Sequence, residues 1–247
     1  MSKTIVLLPA RLAATRLPNK PLADIGGRPM IAHVWQRGVD AGVGEVVVAA
    51  GDQEICDAVT ALGGKAVLTD PGHPSGSDRI YEALTKVDPD GHVEFVVNLQ
   101  GDLPVLDPQL IRKTVEILEN GPFDISTLAA PITDDSERTN PNVVKAVIAG
   151  RADGLKAGHV GKALYFSRAT VPYGEGPLFH HIGLYGYRRA ALEKFVSLPP
   201  SPLEQREKLE QLRALENNMT IGVGVVDTIP FGVDTPEDLE KARKMLV

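Results

Sequence analysis

The first apolar stretch, TIVLLP at Thr4–Pro9, contains no charged side chain. An unbroken apolar run of this length fits a strand buried on both faces, the usual condition of strands in a parallel sheet. Similar runs recur as EVVVAA (Glu45–Ala50), KAVLT (Lys65–Thr69) and EFVVNL (Glu94–Leu99). Between them the apolar positions change to helical spacing. Helices are predicted over Met30–Gly42, over Gln53–Leu62 with Gly63-Gly64 as the stop, and over Ser77–Lys86. A fourth covers Pro108–Asn120, begun by Asp107 and ended by Gly121. Strands alternating with helices predict an α/β fold: an open, mostly parallel sheet with helices on both faces.

The alternation fails after ISTLAAPI (Ile125–Ile132). From there to IGLYGYRR (Ile182–Arg189) strands follow one another without regular helices, which predicts an inserted lobe at roughly residues 129–215. A helix is then expected over Pro202–Leu215, a strand at TIGVGVV (Thr220–Val226) and a closing helix over Pro236–Met245. With no internal repeat, low-complexity tract or evident linker, residues 1–247 read as a single domain carrying that lobe.

Composition narrows the class. Only 5% of the 247 residues are aromatic against 43% hydrophobic, so Val, Leu, Ile and Ala must build the core. The 26 basic and 32 acidic residues leave a net charge of -6, which argues against nucleic acid as a partner. One cysteine, Cys56, excludes an internal disulfide and a Cys-rich zinc site. No apolar stretch approaches the roughly 20 residues of a membrane span, and Ile5–Leu8 is too short for a signal-peptide core. A soluble, cytoplasmic protein is expected.

In open parallel sheets, ligands bind beyond the carboxyl ends of the strands. The segment behind the first strand, LLPARLAATRLPNKPL, holds Arg11, Arg16 and Lys20 with no acid before Asp24. Three uncompensated cations suit a polyphosphate, and Ala13-Ala14 leave the backbone amides accessible. Neither the dinucleotide G-x-G-x-x-G motif nor the phosphate-loop G-x-x-x-x-G-K-[ST] motif is present, and no His pair has zinc-ligand spacing. His33, His73, His92 and His159 show no partner pattern and read as ordinary polar residues. Asp102 follows the fourth strand. Asp234 precedes a complete helix start, with Thr235 as N-cap, Pro236 at the first helical position and Asp238 closing a capping box. Asp234 is therefore not needed as the cap. Two carboxylates from separate strand ends, meeting where phosphates bind, suit Mg²⁺. Without a cation they would repel each other, so Asp-to-Asn changes should if anything stabilise the empty protein.

PARLAATRLPNKPL (Pro9–Leu22) resembles the P-A-R-x-x-[ST]-x-R-x-P-x-K-P-L signature of sugar-acid cytidylyltransferases, with Thr15 displaced by one place. HPSGSDR, NLQGD, NPNVVK, ALYFSRATVPY, HIGLYGYR, SPLEQREKLEQLR and GVDTPEDL follow in order. The ordered set is similar to the branch that activates 3-deoxy-manno-octulosonate (Kdo), across essentially the whole chain. That resemblance implies a Rossmann-like nucleotidyltransferase fold, a homodimer formed through the lobe, Mg²⁺, and transfer of CMP from CTP to Kdo for lipopolysaccharide assembly. It implies a CTP site of Leu8, Ala10, Arg11, Ala14, Thr15, Arg16, Lys20, Ser75, Gly76 and Gln100, with Arg11, Lys20 and Asp102 catalytic and Asp102 and Asp234 on the metal. It carries Arg79, Arg168, His181, Tyr185, Glu210 and Gln211 onto the sugar. Relatives usually read Q-G-D-E-P where this chain has QGDLP, so Leu103 replaces a glutamate beside Asp102. A related sugar acid (8-amino-Kdo or sialic acid) and a non-catalytic nucleotide-binding role stay open at this point.

Overall fold

The computed structural model describes residues 3–13, 17–150 and 154–246. In chain order the strands are β1 (Thr4–Ala10), β2 (Asp24–Ile25), β3 (Arg28–Pro29), β4 (Glu45–Ala50), β5 (Lys65–Leu68), β6 (Phe95–Asn98), β7 (Ile125–Pro131), β8 (Lys145–Ile148), β9 (Val160–Ser167), β10 (Phe179–Arg188) and β11 (Ile221–Val225). The α-helices are α1 (Met30–Ala41), α2 (Gln53–Thr60), α3 (Gly76–Val87), α4 (Pro108–Asn120), α5 (Asp135–Thr139), α6 (Arg189–Ser197), α7 (Pro202–Glu207), α8 (Leu212–Glu216) and α9 (Pro236–Leu246). A 3-10 turn at Lys20–Leu22 precedes β2. The chain divides into two compact units, Met1–Arg112 with Pro230–Val247, and Lys113–Ile229.

In the first unit the strand order is β5-β4-β1-β6, all parallel, with Leu7 opposite Val47 and Ile5 opposite Val96. Val6, Leu7, Leu8, Val47, Val48, Val96 and Val97 are wholly buried, so both faces of β1, β4 and β6 are covered, as their apolar runs require, while β5 is the more exposed edge. Each such side chain contributes about 1.5–3 kcal/mol by leaving water. Helix α1 buries Met30, Ile31, Val34, Gly38 and Ala41, an apolar stripe at helical spacing. A Cβ on Gly38 would lie 2.9 Å from Val46 Cγ1, so only glycine lets α1 lie this close to β4. Ile25, Met30, Val233, Leu239 and Ala242 form a small core that anchors α9 beside β2 and the start of α1.

The second unit is a sheet of order β10-β7-β11-β9-β8, antiparallel except for β7 with β11. The Asp124 carboxylate accepts hydrogen bonds from Thr220 N (2.7 Å) and Oγ1 (2.8 Å), which sets the common start of β7 and β11. Gly222 makes room for Phe123, whose ring would meet a Cβ at 2.5 Å.

Two expectations for this region need correction. The helix expected over Pro202–Leu215 is two short helices, because Lys208 at φ 56 closes α7 in the left-handed conformation. The turn folds Arg213 back onto Glu204 with bonds of 2.9 and 2.6 Å. Helices α5 and α6 are also additional to the expected elements. Arg188 gives α6 no side-chain cap, so the start signal is missing and only the spacing of Ala191, Leu192 and Phe195 marks it. Among the described residues no helix is long and apolar enough to cross a membrane.

Candidate active site

The carboxyl ends of β1 and β6 open into a cleft of about 420 Å³, lined among others by Arg11, Lys20, Gln100, Asp102 and Asp234. Its size lies in the usual range for small-molecule sites. A smaller cleft of about 170 Å³ shares Pro9, Ala10, Arg11 and Gln100 with it and adds His73, Ser75, Gly76 and Arg79. The chain leaving β1 is held by Asp52, whose Oδ2 accepts from Leu12 N at 2.8 Å. Ala14, Thr15 and Arg16 lie outside the described residues. Leu8 is wholly buried within β1 and lines neither cleft, so its expected place in a nucleotide site is not a side-chain one.

Lys20 is the centre of the larger cleft. Its ammonium donates to Asp102 Oδ2, to Val233 O and to Asp234 Oδ1, each at 3.0 Å. Burial alone would lower its pKa; the charges and hydrogen bonds of Asp102 and Asp234 outweigh that and raise it above the ordinary lysine value. The backbone arranges this meeting. Asn19 takes the left-handed conformation (φ 54) and starts the 3-10 turn that carries Lys20. Val233 N bonds to Asp102 O at 2.9 Å, which places Asp234 beside the end of β6. Thr235 and Asp238 form the expected capping box through Asp238 N to Thr235 Oγ1 (3.2 Å) and Thr235 N to Asp238 Oδ2 (3.1 Å). The Asp234 carboxylate faces Lys20, as a residue released from capping can.

The pairing corrects one inference from the sequence. The two carboxylates do not stand unscreened in the empty protein, because Lys20 lies between them. Among the described residues no group of three or more His, Cys, Asp or Glu could hold a metal. Asp102 and Asp234 nevertheless fit Mg²⁺, which takes few protein ligands beside a phosphate and completes its shell with phosphate oxygens and water. Leu103 is buried, and its Cδ2 would lie 3.7 Å from a Cβ placed on Gly232. Its side chain belongs to the packing under the cleft.

Arg79, expected with the sugar residues, lies in the smaller cleft with Ser75 and Gly76. Its Nη1 donates to Thr69 Oγ1 at 2.7 Å over Gly51, and burial followed by the positive charge of Arg11 lowers its pKa. Two guanidiniums converging on one cleft favour an anion there. Ser75 is the N-cap of α3, accepting from Asp78 N at 3.2 Å, and Gln100 donates to Asn98 Oδ1 at 3.4 Å. His73, read as an ordinary polar residue, is paired with Glu82 and faces the same cleft. Glu82 also accepts from Asp70 N and Lys86, and these contacts outweigh burial and hold its pKa down to about 2. Glu82 follows His73 by nine positions, across a loop and a helix start, so no short motif marks the pair.

The other sugar candidates are in the second unit. His181 Nε2 is 3.0 Å from Thr127 Oγ1, and its ring packs edge-on against Phe166 and 5.5 Å from the Tyr185 ring. Burial drives the His181 pKa to about 3, with His180 adding to the shift. The Tyr185 phenol is pushed up by burial, then by Tyr187 and Glu210. His181, Tyr185 and Glu210 therefore form one neighbourhood. Glu210 lies 3.7 Å from Arg213. Gln211 is buried with Nε2 lacking a hydrogen-bond partner. The Arg168 guanidinium is turned onto the carbonyls of Pro141, Glu207 and Lys208.

A strand-edge cleft combining an arginine, a lysine and two aspartates, with a second arginine in the cleft beside it, is the equipment of a nucleotidyltransferase. A family model described as Cytidylyltransferase matches residues 5–221, and the chain belongs to that family. The relatives it matches narrow the group to 3-deoxy-manno-octulosonate cytidylyltransferases. One from Parvibaculum lavamentivorans is 64% identical over 98% of this chain and 92% of its own length. Another, from Paramagnetospirillum magneticum, is 62% identical over 98% and 97%. A solved structure of CMP:2-keto-3-deoxy-manno-octonic acid synthetase complexed with CTP is 39% identical, covers 99% of this chain and 98% of its own, and superposes with a TM-score of 0.89.

Proposed function

We propose that this chain transfers CMP from CTP to Kdo, releasing pyrophosphate and supplying activated sugar for lipopolysaccharide assembly in the cytoplasm. The observation that carries this reading is the meeting of Lys20, Asp102 and Asp234 in a cleft shared with Arg11, at the carboxyl edge of a parallel sheet. Family membership and the relatives' names support it.

The sugar's anomeric hydroxyl attacks the α-phosphorus, loses its proton, and the α–β bridging oxygen departs with pyrophosphate. Such a transfer is limited by positioning and charge neutralisation. Arg11, Arg16 and Lys20 would hold the triphosphate, with Arg79 adding charge at the smaller cleft. Ser75 and Gly76 would flank the base, and Gln100 the ribose. Asp102 and Asp234 would hold Mg²⁺, which when bound supplies neutralising charge at the phosphates. His181, Tyr185, Glu210 and Gln211 would receive the sugar acid, and the unpartnered Gln211 Nε2 is a ready donor to a hydroxyl or carboxylate. Arg168 would shape that site through the carbonyls it already holds. The 129–215 lobe would also form the homodimer contact.

The test is pyrophosphate release with each of four nucleoside triphosphates against Kdo, 8-amino-Kdo and sialic acid. Turnover with CTP and Kdo is expected, and Lys20→Ala should lower kcat/KM by about 100-fold, as loss of one charge clamp does. Release only with another sugar acid, or none with CTP, overturns the assignment. Light scattering showing only monomer at micromolar concentration overturns the dimer.

A further inference from the structure

An ammonium group has three N–H donors, and in this structure Lys20 spends them all on Asp102, Asp234 and the Val233 carbonyl. None is left for a phosphate. The two carboxylate oxygens it bridges are the pair that would hold a divalent cation, and a metal bonding both at its usual ~2.1 Å would need the space the ammonium fills. Lysine and metal are therefore alternative occupants of one position. Lysine suits that use: its charge is compact and sits on a flexible four-carbon stem that can swing away without the backbone moving. What would draw it out is a set of acceptors at least as strong as two carboxylates and a carbonyl, and a nucleoside triphosphate brings such a set. Arg11 lines the same cleft and would meet the same phosphates.

We infer that Lys20 is an internal counter-ion which keeps the divalent metal off Asp102 and Asp234 until a nucleoside triphosphate takes the ammonium, so that metal entry is conditional on nucleotide. The inference rests on the metal and nucleotide assignments of the proposed function and adds the exchange between them. Its consequence is a coupling: nucleotide raises metal affinity, and by linkage metal raises nucleotide affinity by the same factor.

The experiment is Mn²⁺ binding followed by electron paramagnetic resonance, without nucleotide, on the wild type, Lys20→Met, and Lys20→Met with Asp234→Asn. Lys20→Met is expected to gain one Mn²⁺ site about 10- to 100-fold tighter than any in the wild type, within the usual range of coupling between sites. Adding Asp234→Asn should abolish it. Equal Mn²⁺ affinity of nucleotide-free wild type and Lys20→Met overturns the exchange. A variant-free measurement serves if Lys20→Met does not fold: the ¹⁵N-correlated signal of the Lys20 ammonium in the wild type should ignore Mg²⁺ alone and shift with CTP. Displacement by Mg²⁺ alone also overturns the exchange. A further arm adds CTP to the wild type, where an Mn²⁺ site removed by Asp234→Asn is expected. Its absence overturns the metal assignment, and the exchange with it; its presence beside an unfavourable nucleotide-free result overturns the exchange only.

Discussion

Removing the charge of Lys20 should destabilise the nucleotide-free protein and reverse the effect of an Asp234 substitution. Side-chain exposure is 18% for Lys20, 34% for Asp102 and 48% for Asp234. At 3.0 Å, each ion pair is worth about 5 kcal/mol of bare Coulomb energy at an effective dielectric of 20. Half-exposed Asp234 is heavily screened, and measured surface pairs retain about 0.2–1 kcal/mol, so about 1 kcal/mol per pair is a reasonable net value. Both carboxylate oxygens lie 3.0 Å from one nitrogen and so no more than twice that distance apart. Lys20→Met loses both pairs and exposes a repulsion of comparable net size, for a total of about 2–3 kcal/mol. For a chain of this length that lowers Tm by about 5–10 °C.

Asp234→Asn in the wild type removes an attraction at 3.0 Å and a repulsion at longer range, so it should cost about 0.5 kcal/mol. In the Lys20→Met background that attraction is gone while the repulsion by Asp102 stays, and the same substitution should stabilise by about 1 kcal/mol. Thermal unfolding in chelator at low ionic strength reads all four proteins, and added salt should shrink every difference. The reasoning fails if Asp234→Asn shifts Tm in the same direction in both backgrounds, or if Lys20→Met melts with the wild type.

Glu204→Gln should cost about 3 kcal/mol, because it removes the carboxylate charge that buried Arg213 meets with bonds of 2.9 and 2.6 Å and leaves more distant partners such as Glu210 at 3.7 Å; a change under 1 kcal/mol in urea unfolding would contradict the burial argument. The Glu204 pKa is lowered, since Arg213 and the Ser201 amide outweigh burial, so the stability it contributes is present above the unfolded carboxylate range and disappears as pH falls through the folded value. His181 is depressed to about 3 by burial, so it is neutral throughout pH 5–8 and should add no ionisation to kcat/KM there. Its unfolded form protonates near 6.5, so it removes about 1.4 kcal/mol of stability per pH unit as pH falls from there towards 3, and His181→Gln should flatten that slope in pH-dependent melts. Leu103→Glu would put a carboxylate into the packing under the cleft; a loss of about 2 kcal/mol or more in chelator is expected, and an unchanged Tm would show that position 103 faces water instead.

The first unit was legible because its signals are local. Parallel strands buried on both faces are apolar along most of their length, as β1, β4 and β6 are; these three and the more exposed edge strand β5 lie within a residue of where their runs place them. Helix α4 spans the predicted Pro108–Asn120, between a starting aspartate and a stopping glycine. The second unit offers fewer such signals. The break between α7 and α8 falls at Lys208, a lysine in a conformation that glycine usually marks, and it is stabilised by Arg213 returning to Glu204 nine residues away. Arg79, expected with the sugar residues, lines the smaller cleft for a related reason. The motif located it in a helix start but not the direction of its side chain, which Thr69 and Gly51 decide from just beyond the ends of β5 and β4.

Charge pattern carried the candidate site only part of the way. It gave the sign of each residue, and strand-end placement brought Asp102 and Asp234 together, but the partner of each charge depends on loops. Arg11 and Lys20 look alike in the sequence, both cations behind one strand. In the fold Arg11 is exposed at the junction of two clefts, while Lys20 is turned inward by the left-handed Asn19 and the 3-10 turn that follows. The basic stretch therefore divides: Arg11 opens onto both clefts, and Lys20 is held by two carboxylates to which the proposed function gives a second use. Stability of the empty protein and readiness for a metal then draw on the same two aspartates, so a substitution that improves one should be expected to impair the other.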